Sequence, residues 1–317
     1  MKAIGLTQFG GPEVLKVVEL PEPQPGRGEI RIKVHAAAVN PTDITFRSGG
    51  RAAQLAERPP PYIPGVDVAG IIDMLGPGTD DRLAVGDAVI AFVIPMGPHR
   101  GAYAEQVVVD EASVVRTPLG ASFPEASTLL LNAVTARLSL DVLALPPGSM
   151  VAVIGASGAV GGYATQLANA DGLTVLAVAA WCDTALVRGL GADVIVEPGN
   201  NIADQVRQQL PCGAPGLIDS AALDALALPA VADSGGLVTL KGWSGPSERG
   251  IVIHPVSSFG SATDTALFDR LRSQVEEGVI TLRVAEVLPA SEASEAHRRL
   301  AAGGVRGRLV LDFSGPL

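Results

Sequence analysis

Several residue types are scarce in this chain of 317 residues, and each shortage excludes something. Cysteine occurs twice, at Cys182 and Cys212, so neither a disulfide framework nor a cysteine-built zinc cluster is available. That usage fits a reduced, cytoplasmic setting. Lysine is limited to Lys2, Lys16, Lys33 and Lys241, and 23 basic residues against 33 acidic ones leave a net charge of -10 and a pI near 4.9. No basic stripe offers itself to nucleic acid or to an anionic membrane. The start, "MKAIGLTQFGGPEVL", lacks the apolar run of a secretory signal. The longest uncharged stretch, 142–170, is interrupted by Pro146, Pro147 and glycines and carries Ser, Thr, Gln and Asn, which argues against a membrane span. The histidines, His35, His99, His254 and His297, have no metal-binding partner three or four residues away.

What remains is an ordinary globular composition, 47% hydrophobic and 18% charged, long enough for two domains. The first 120 residues or so read as a mostly antiparallel β domain. "EIRIKVHAAAVN" alternates Ile30, Ile32 and Val34 with charged residues. "DVAGIID", "DAVIAFV" and "YAEQVVVD" are further strand runs separated by "PEPQPGRG", "GPGTDD" and "PMGPHRG". Near Ala121 the texture changes. "MVAVI" is continuously apolar, as in a strand buried on both faces. Apolar strands then alternate with helical patterns: "LTVLAVA", a helix capped by Asp183, "DVIV", a helix with Ile202, Val206 and Leu210 on one face, "GLID", a helix over 222–232, "GLVTL" and "IVIHPV". That rhythm is an α/β fold with a doubly wound parallel sheet. A helix over 266–277 and the strands "RVAEVL" and "GRLVLDF", flanking a helix near 292–301, return the chain to the first domain. The expected boundaries are 1–121, completed by 259–317, and 122–258.

Between the first strand of the α/β series and its helix stands "VIGASGAVGGYATQLA", residues 153–168. Small residues there let backbone approach a pyrophosphate, and a helix N-terminus supplies N–H groups and a positive dipole end. Gly158 and Gly161 hold two positions of G-x-G-x-x-G, and Ala156 replaces the first glycine. A tight strand-to-helix corner accounts for the same residues without a ligand.

"GASGAVGGYATQLA" followed by "LGADVIVEPG" resembles the medium-chain dehydrogenase/reductase superfamily, in particular its zinc-independent quinone oxidoreductase-like branch. "AAAVNPTDITFRSG", "PPYIPGVDVAG", "VGDAVIAF", "GAYAEQVVV", "LNAVTA", "GGLVTLKG" and "RGRLVL" agree with it in order along nearly the whole chain. The resemblance implies a GroES-like β-rich catalytic domain and a Rossmann cofactor domain, in a homodimer. Zinc-dependent relatives carry a cysteine where this chain has Ala37 and Ala38, and a His-Glu pair where it has Val66 and Asp67. One carboxylate does not make a zinc site, which takes three protein ligands, so no metal is expected. Hydride transfer to a quinone or to the β-carbon of an enone needs no Lewis acid.

By resemblance, Asn40 and Asp43 sit over the nicotinamide, although Asn-Pro also forms local turns. Thr45 stands where some quinone reductases have a tyrosine, which points to different substrate contacts. Arg47 is as well explained by a structural ion pair. Asn132 and Thr135 are implied at the nicotinamide end. Ser157, Gly158, Ala159, Val160 and Gly161, beside Ala156, would offer backbone donors to the pyrophosphate. Leu240, Lys241 and Gly242, with Trp243, follow the fifth strand of the series, where open α/β sheets bind ligands. His254 is a further candidate proton donor. Tyr62 and Tyr103 read as packing residues.

Cofactor choice turns on the second strand of that series. NAD enzymes place an acid at its end for the ribose 2′-OH. This chain ends it at Ala179 and Ala180, which permits a 2′-phosphate, and Arg188 is the first base beyond. The expectation is therefore a cytoplasmic NADPH-dependent reductase, with NADH the weaker cofactor, acting on a small electron-poor substrate. An enoyl or polyketide-type reductase and a non-catalytic NADPH-binding protein are the alternatives.

Overall fold

Strand-forming runs broken by turns build the first part of the chain. In order they are β1 (Lys2–Gly5), β2 (Lys16–Glu19), β3 (Glu29–Ala38), α1 (Pro41–Arg47), β4 (Asp67–Leu75), β5 (Ala88–Phe92), β6 (Gln106–Asp110), β7 (Val114–Arg116) and α2 (Phe123–Ala126). On β3, Ile30, Ile32 and Val34 are buried while Lys33 is exposed. Arg31 departs from that alternation: it is buried, and its Nε donates to Asp73 on β4 at 2.9 Å. The computed structural model describes residues 1–317.

The second part begins with α3 (Leu130–Leu143) and runs through β8 (Met150–Ile154), α4 (Ala159–Ala170), β9 (Thr174–Val178), α5 (Thr184–Gly189), β10 (Val194–Val196), α6 (Ile202–Gln209), β11 (Ala214–Asp219), β12 (Val231–Thr239) and β13 (Val252–Pro255). All six strands are parallel, in the order β10-β9-β8-β11-β12-β13. The order reverses beside β8, which defines the ligand-binding edge of a doubly wound sheet. Val151, Ala152, Val153 and Ile154 on β8 are all buried, as a strand covered on both faces requires. One stretch, 123–143, is long and apolar enough to cross a membrane by length and composition, and 78% of its apolar window is buried inside the fold, as in a core helix.

The chain closes with α7 (Thr265–Glu276), β14 (Val284–Pro289), α8 (Ala293–Ala302) and β15 (Arg308–Asp312). β15 pairs antiparallel with β3, giving the sheet order β14-β15-β3-β4-β5-β7, with β6 also on β3. Two compact units result: Met1–Leu131 with Phe259–Glu276 and Leu282–Leu317, and Asn132–Ser258 with Glu277–Thr281.

Two local expectations need correction. The helix expected over 222–232 is a 3-10 turn, Asp224–Ala230, and β12 already begins at Val231. Pro229 has no N–H to donate and forbids an α-helix there, which the alanine-rich composition conceals. Asp183 occupies the residue before α5, yet its side chain makes no capping bond and is buried.

Candidate functional site

In the second unit, the loops at the carboxyl ends of the strands carry the dinucleotide features. After β8 the chain turns at Gly155, whose φ of +75° suits only glycine comfortably. Ala156, at the first glycine position of the G-x-G-x-x-G pattern, follows it and does not share its positive φ. Gly155 and Ala156 both donate their N–H to Val178 O, at 3.1 and 3.2 Å, so the loop is stitched to the end of β9. Ala156 is buried and its amide is committed there. Gly158 has extended backbone (φ -72°, ψ 178°) and stands before α4 with no side chain capping the helix. The amides of Ala159, Val160 and Gly161 form the first turn of α4, where N–H groups lack intrahelical acceptors. A Cβ on Gly161 would lie 2.3 Å from Gly155 O, so this glycine serves close helix–strand packing. A Cβ on Gly158 would lie 3.2 Å from the same oxygen, a contact a small shift relieves. The loop therefore presents an uncapped twelve-residue helix with small residues in front of it, which fits a dinucleotide's pyrophosphate.

Neighbouring strand ends complete this rim. Ser220 donates its hydroxyl to Ile154 O at 2.5 Å. Asp219 is fully buried, accepts from the N–H groups of Ala221 and Asp224, and is pushed above the usual carboxylate range by burial. After β12, Thr239 Oγ1 donates to Trp243 O at 2.6 Å and closes a loop in which Lys241 and Gly242 are exposed and Leu240 is half-buried. After β9 come Ala179, Ala180 and a 3-10 turn, Trp181–Asp183, with no carboxylate open at the strand end. Arg188 is exposed on α5. Asn132 and Thr135 lie three apart on α3 and are buried. His254 turns its ring over Gly236, toward the amino end of β12 and away from the rim.

The first unit holds a second cluster. Asn40 and Asp43 are fully buried and close a capping box at the start of α1: Asn40 N–H donates to Asp43 Oδ2 at 2.8 Å. Asp43 also accepts from Gly65 N–H at 3.1 Å and from the Tyr103 hydroxyl at 3.2 Å. The same tyrosine oxygen lies 3.2 Å from His297 Nε2 on α8. Asn40 Nδ2 donates to Asp67 Oδ2 at 2.9 Å, and Asp67 Oδ1 accepts from Leu131 N–H at 2.9 Å. Burial, reinforced by the neighbouring Asp67, raises Asp43 to about 7. Burial likewise raises Asp67 to about 6 and lowers His297 to about 3, with Arg47 adding to the His297 shift. Tyr103 is pushed well above its ordinary value by burial and by Asp43. Thr45 lies on the opposite face of α1, exposed, its hydroxyl bonded to Pro41 O. Sequence reading treated Tyr103 as packing and His297 as isolated; no spacing signal links residues so far apart in the chain.

A zinc ion does not fit this cluster. Ala38 stands directly across from Asp67 in the β3–β4 register, a methyl where a ligand would have to be. Both Asp67 oxygens are already engaged, and no group of three His, Cys, Asp or Glu side chains converges anywhere.

A parallel sheet with a glycine loop at its switch point, joined to a β-rich unit carrying an Asn-Pro-Thr-Asp turn, defines a nucleotide-dependent oxidoreductase architecture. Comparison with known proteins agrees. Residues 26–119 match the alcohol dehydrogenase GroES-like domain, and residues 183–311 match the zinc-binding dehydrogenase family. A quinone oxidoreductase of Pseudomonas aeruginosa is 30% identical over 334 residues, covering 98% of this chain and 99% of the relative. The solved quinone oxidoreductase of Coxiella burnetii superposes with a TM-score of 0.88 at 27% identity, over 98% of this chain and 99% of its own. A mycobacterial protein solved with NADPH superposes with a TM-score of 0.87 at 29% identity, over 98% and 99% of the two chains. The chain belongs to the medium-chain dehydrogenase/reductase superfamily, in its quinone oxidoreductase-like branch. It is an oxidoreductase of that family with a nicotinamide-cofactor domain and a small-molecule substrate.

Proposed function

We propose that the protein is a zinc-independent, NADPH-dependent reductase of quinones or α,β-unsaturated carbonyls, working as a cytoplasmic homodimer. The observation that carries the reading is Asp67, facing Ala38 with both oxygens engaged. Without a metal site no Lewis acid polarises a plain carbonyl, so the acceptor must be electron-poor on its own. The relatives' names supply the quinone, and the alanines that follow β9 support NADPH. When bound, the reduced nicotinamide supplies the electron pair and hydrogen that an electron-poor carbon accepts.

The chain's own residues divide the remaining work. The start of α4, with Ser157, Ala159 and Val160, would hold the pyrophosphate through backbone N–H groups. The loop 240–242 would border the nicotinamide. Asn40 and Asp43 act as positioning residues, since their side chains are sealed and fix the start of α1. Thr45 carries the hydroxyl of this trio that a ligand can reach. The test is NADPH consumption with 9,10-phenanthrenequinone and with an alkenal, before and after exhaustive chelation. Turnover that survives chelation supports the reading, and turnover lost to chelation and restored by zinc overturns it.

A further inference from the structure

We infer that Trp181 is the adenine shelf of the dinucleotide site, so that this chain grips the adenine base by stacking on a turn that holds no cation of its own. The inference rests on the cofactor reading above. The chain has few aromatic side chains, 4% of its residues. Phe46, Phe92, Phe268, Phe313, Tyr103 and Tyr163 are buried and the others partly so, except Trp181, which is 66% exposed. A lone exposed apolar side chain is ordinary; its position here is what carries the argument.

Trp181 opens the 3-10 turn that follows β9. The strand's last carbonyl, Val178 O, receives the N–H groups of Gly155 and Ala156, so the glycine loop and the end of β9 are hydrogen-bonded together. Two residues, Ala179 and Ala180, separate Val178 from Trp181, at most about 11 Å of chain. The indole is therefore carried on the same rim as the helix start that suits a pyrophosphate. The turn is fixed rather than loose: Asp183 N–H donates to Ala180 O at 2.8 Å, and Asp183 is itself buried. With Ala179 and Ala180 before it and the exposed Cys182 after it, the open surface of this turn is neutral, with one large flat ring. A purine base is the part of the cofactor that such a surface recognises, because every base has a π-face and stacking needs no charge.

Trp243 is the second tryptophan, so the test begins in a Trp243→Phe background that leaves Trp181 as the sole indole. Three probes separate the halves of the cofactor: NADPH, 2′,5′-ADP for the adenosine half and reduced nicotinamide mononucleotide for the other. Both adenine-containing probes should quench Trp181 emission. In the otherwise native chain, Trp181→Ala should weaken NADPH and 2′,5′-ADP about ten- to thirtyfold by calorimetry. Binding of the mononucleotide should stay unchanged, and Trp181→Phe should recover most of the loss. Equal loss for all three probes would mean general damage and overturn the shelf, as would unchanged NADPH affinity in Trp181→Ala. Failure of the native protein to bind NADPH or NADH at all would instead sink the cofactor reading, and the shelf with it.

Discussion

The two units place their polar groups in opposite directions. The first unit turns them inward: Asn40, Asp43, Asp67, Tyr103 and His297 are buried together and bonded to one another. The second unit builds β8 and most of its sheet core from aliphatic residues, burying Asp219 and Thr239 only at the carboxyl ends of β11 and β12, and leaves polar backbone at the rim, in the uncapped start of α4 and the loop after β12. A buried polar group left without a partner is costly, whereas an exposed amide is served by water until a ligand arrives. Substitutions in the first network should therefore register as lost stability. Those on the second rim should register as lost affinity.

The largest effect should come from the hub of the inward network. Asp43→Ala leaves Asn40 N–H, Gly65 N–H and the Tyr103 hydroxyl without their acceptor. At about 1–3 kcal/mol for each orphaned donor, a loss of about 4 kcal/mol is expected, partly relieved by repacking. Urea denaturation followed by circular dichroism measures it, and an unchanged midpoint would break the contrast between the units. The hub also sets a pH dependence. Asp43 is raised to about 7 and faces Asp67 and Tyr103, with His297 and Arg47 on the far side of the tyrosine. A raised carboxylate contributes stability that is fully present below its unfolded value, about 3.9, and that is lost as pH climbs through about 7. His297, lowered to about 3, acts in the other direction, its contribution present above about 6.5 and lost toward pH 3. Asp43→Asn removes the first slope, so its stability gap to the native chain should narrow from pH 4 to pH 8. A gap that widens over that range contradicts the assignment.

The next effects use two glycines on one loop to sharpen the comparison. Gly161→Val drives a side chain into Gly155 O and should destabilise the second unit by about 3 kcal/mol, the upper range for overpacking. Gly158→Val meets only a 3.2 Å contact in an extended conformation that valine adopts. Its fold should survive, while NADPH affinity falls by about 2 kcal/mol, near thirtyfold, because the added side chain occupies ligand space. Thermal melting and cofactor titration of both variants decide it. A folded Gly158→Val with native affinity would make the loop a mere corner.

What was legible in the sequence follows the same division. β8 was readable to the residue, because a strand covered on both faces must be continuously apolar, and Ile202 and Val206 of α6 were readable from helical spacing. The glycine loop was readable as a loop, but its strained position was not: Gly155 and Ala156 differ in φ, which composition does not report. The inward network was half readable. Asn40 and Asp43 stand out as a local pair three residues apart, and their burial follows from Gly65, Tyr103 and Asp67 closing over them. Those partners, and His297 on α8, are brought in by tertiary pairing alone. A local pattern that marks a helix start cannot tell whether the helix start faces a ligand or the core.

The smallest effect concerns the rim where the two cofactors differ. β9 is followed by Ala179 and Ala180, and the carboxylate of Asp183 is buried, so no open acid waits for a ribose 2′-OH or repels a 2′-phosphate. NADPH should bind better than NADH. The margin should be modest, because the turn Trp181–Asp183 holds no base to grip the phosphate. A bidentate arginine would give a preference of several kcal/mol, whereas one flexible surface cation gives about 1 kcal/mol. Arg188 is that cation: it is exposed on α5 and bound to no carboxylate, so it is free to reach a phosphate after β9. The expected preference is about tenfold, equivalent to 1.4 kcal/mol. Arg188→Ala should erase most of it, leave NADH affinity unchanged and leave stability unchanged, as an outward-facing residue of the second unit must. Side-by-side titration of the two cofactors measures the preference. Tighter NADH binding in the native chain would overturn the assignment, and a preference that survives Arg188→Ala would move the discriminating contact to another part of the rim.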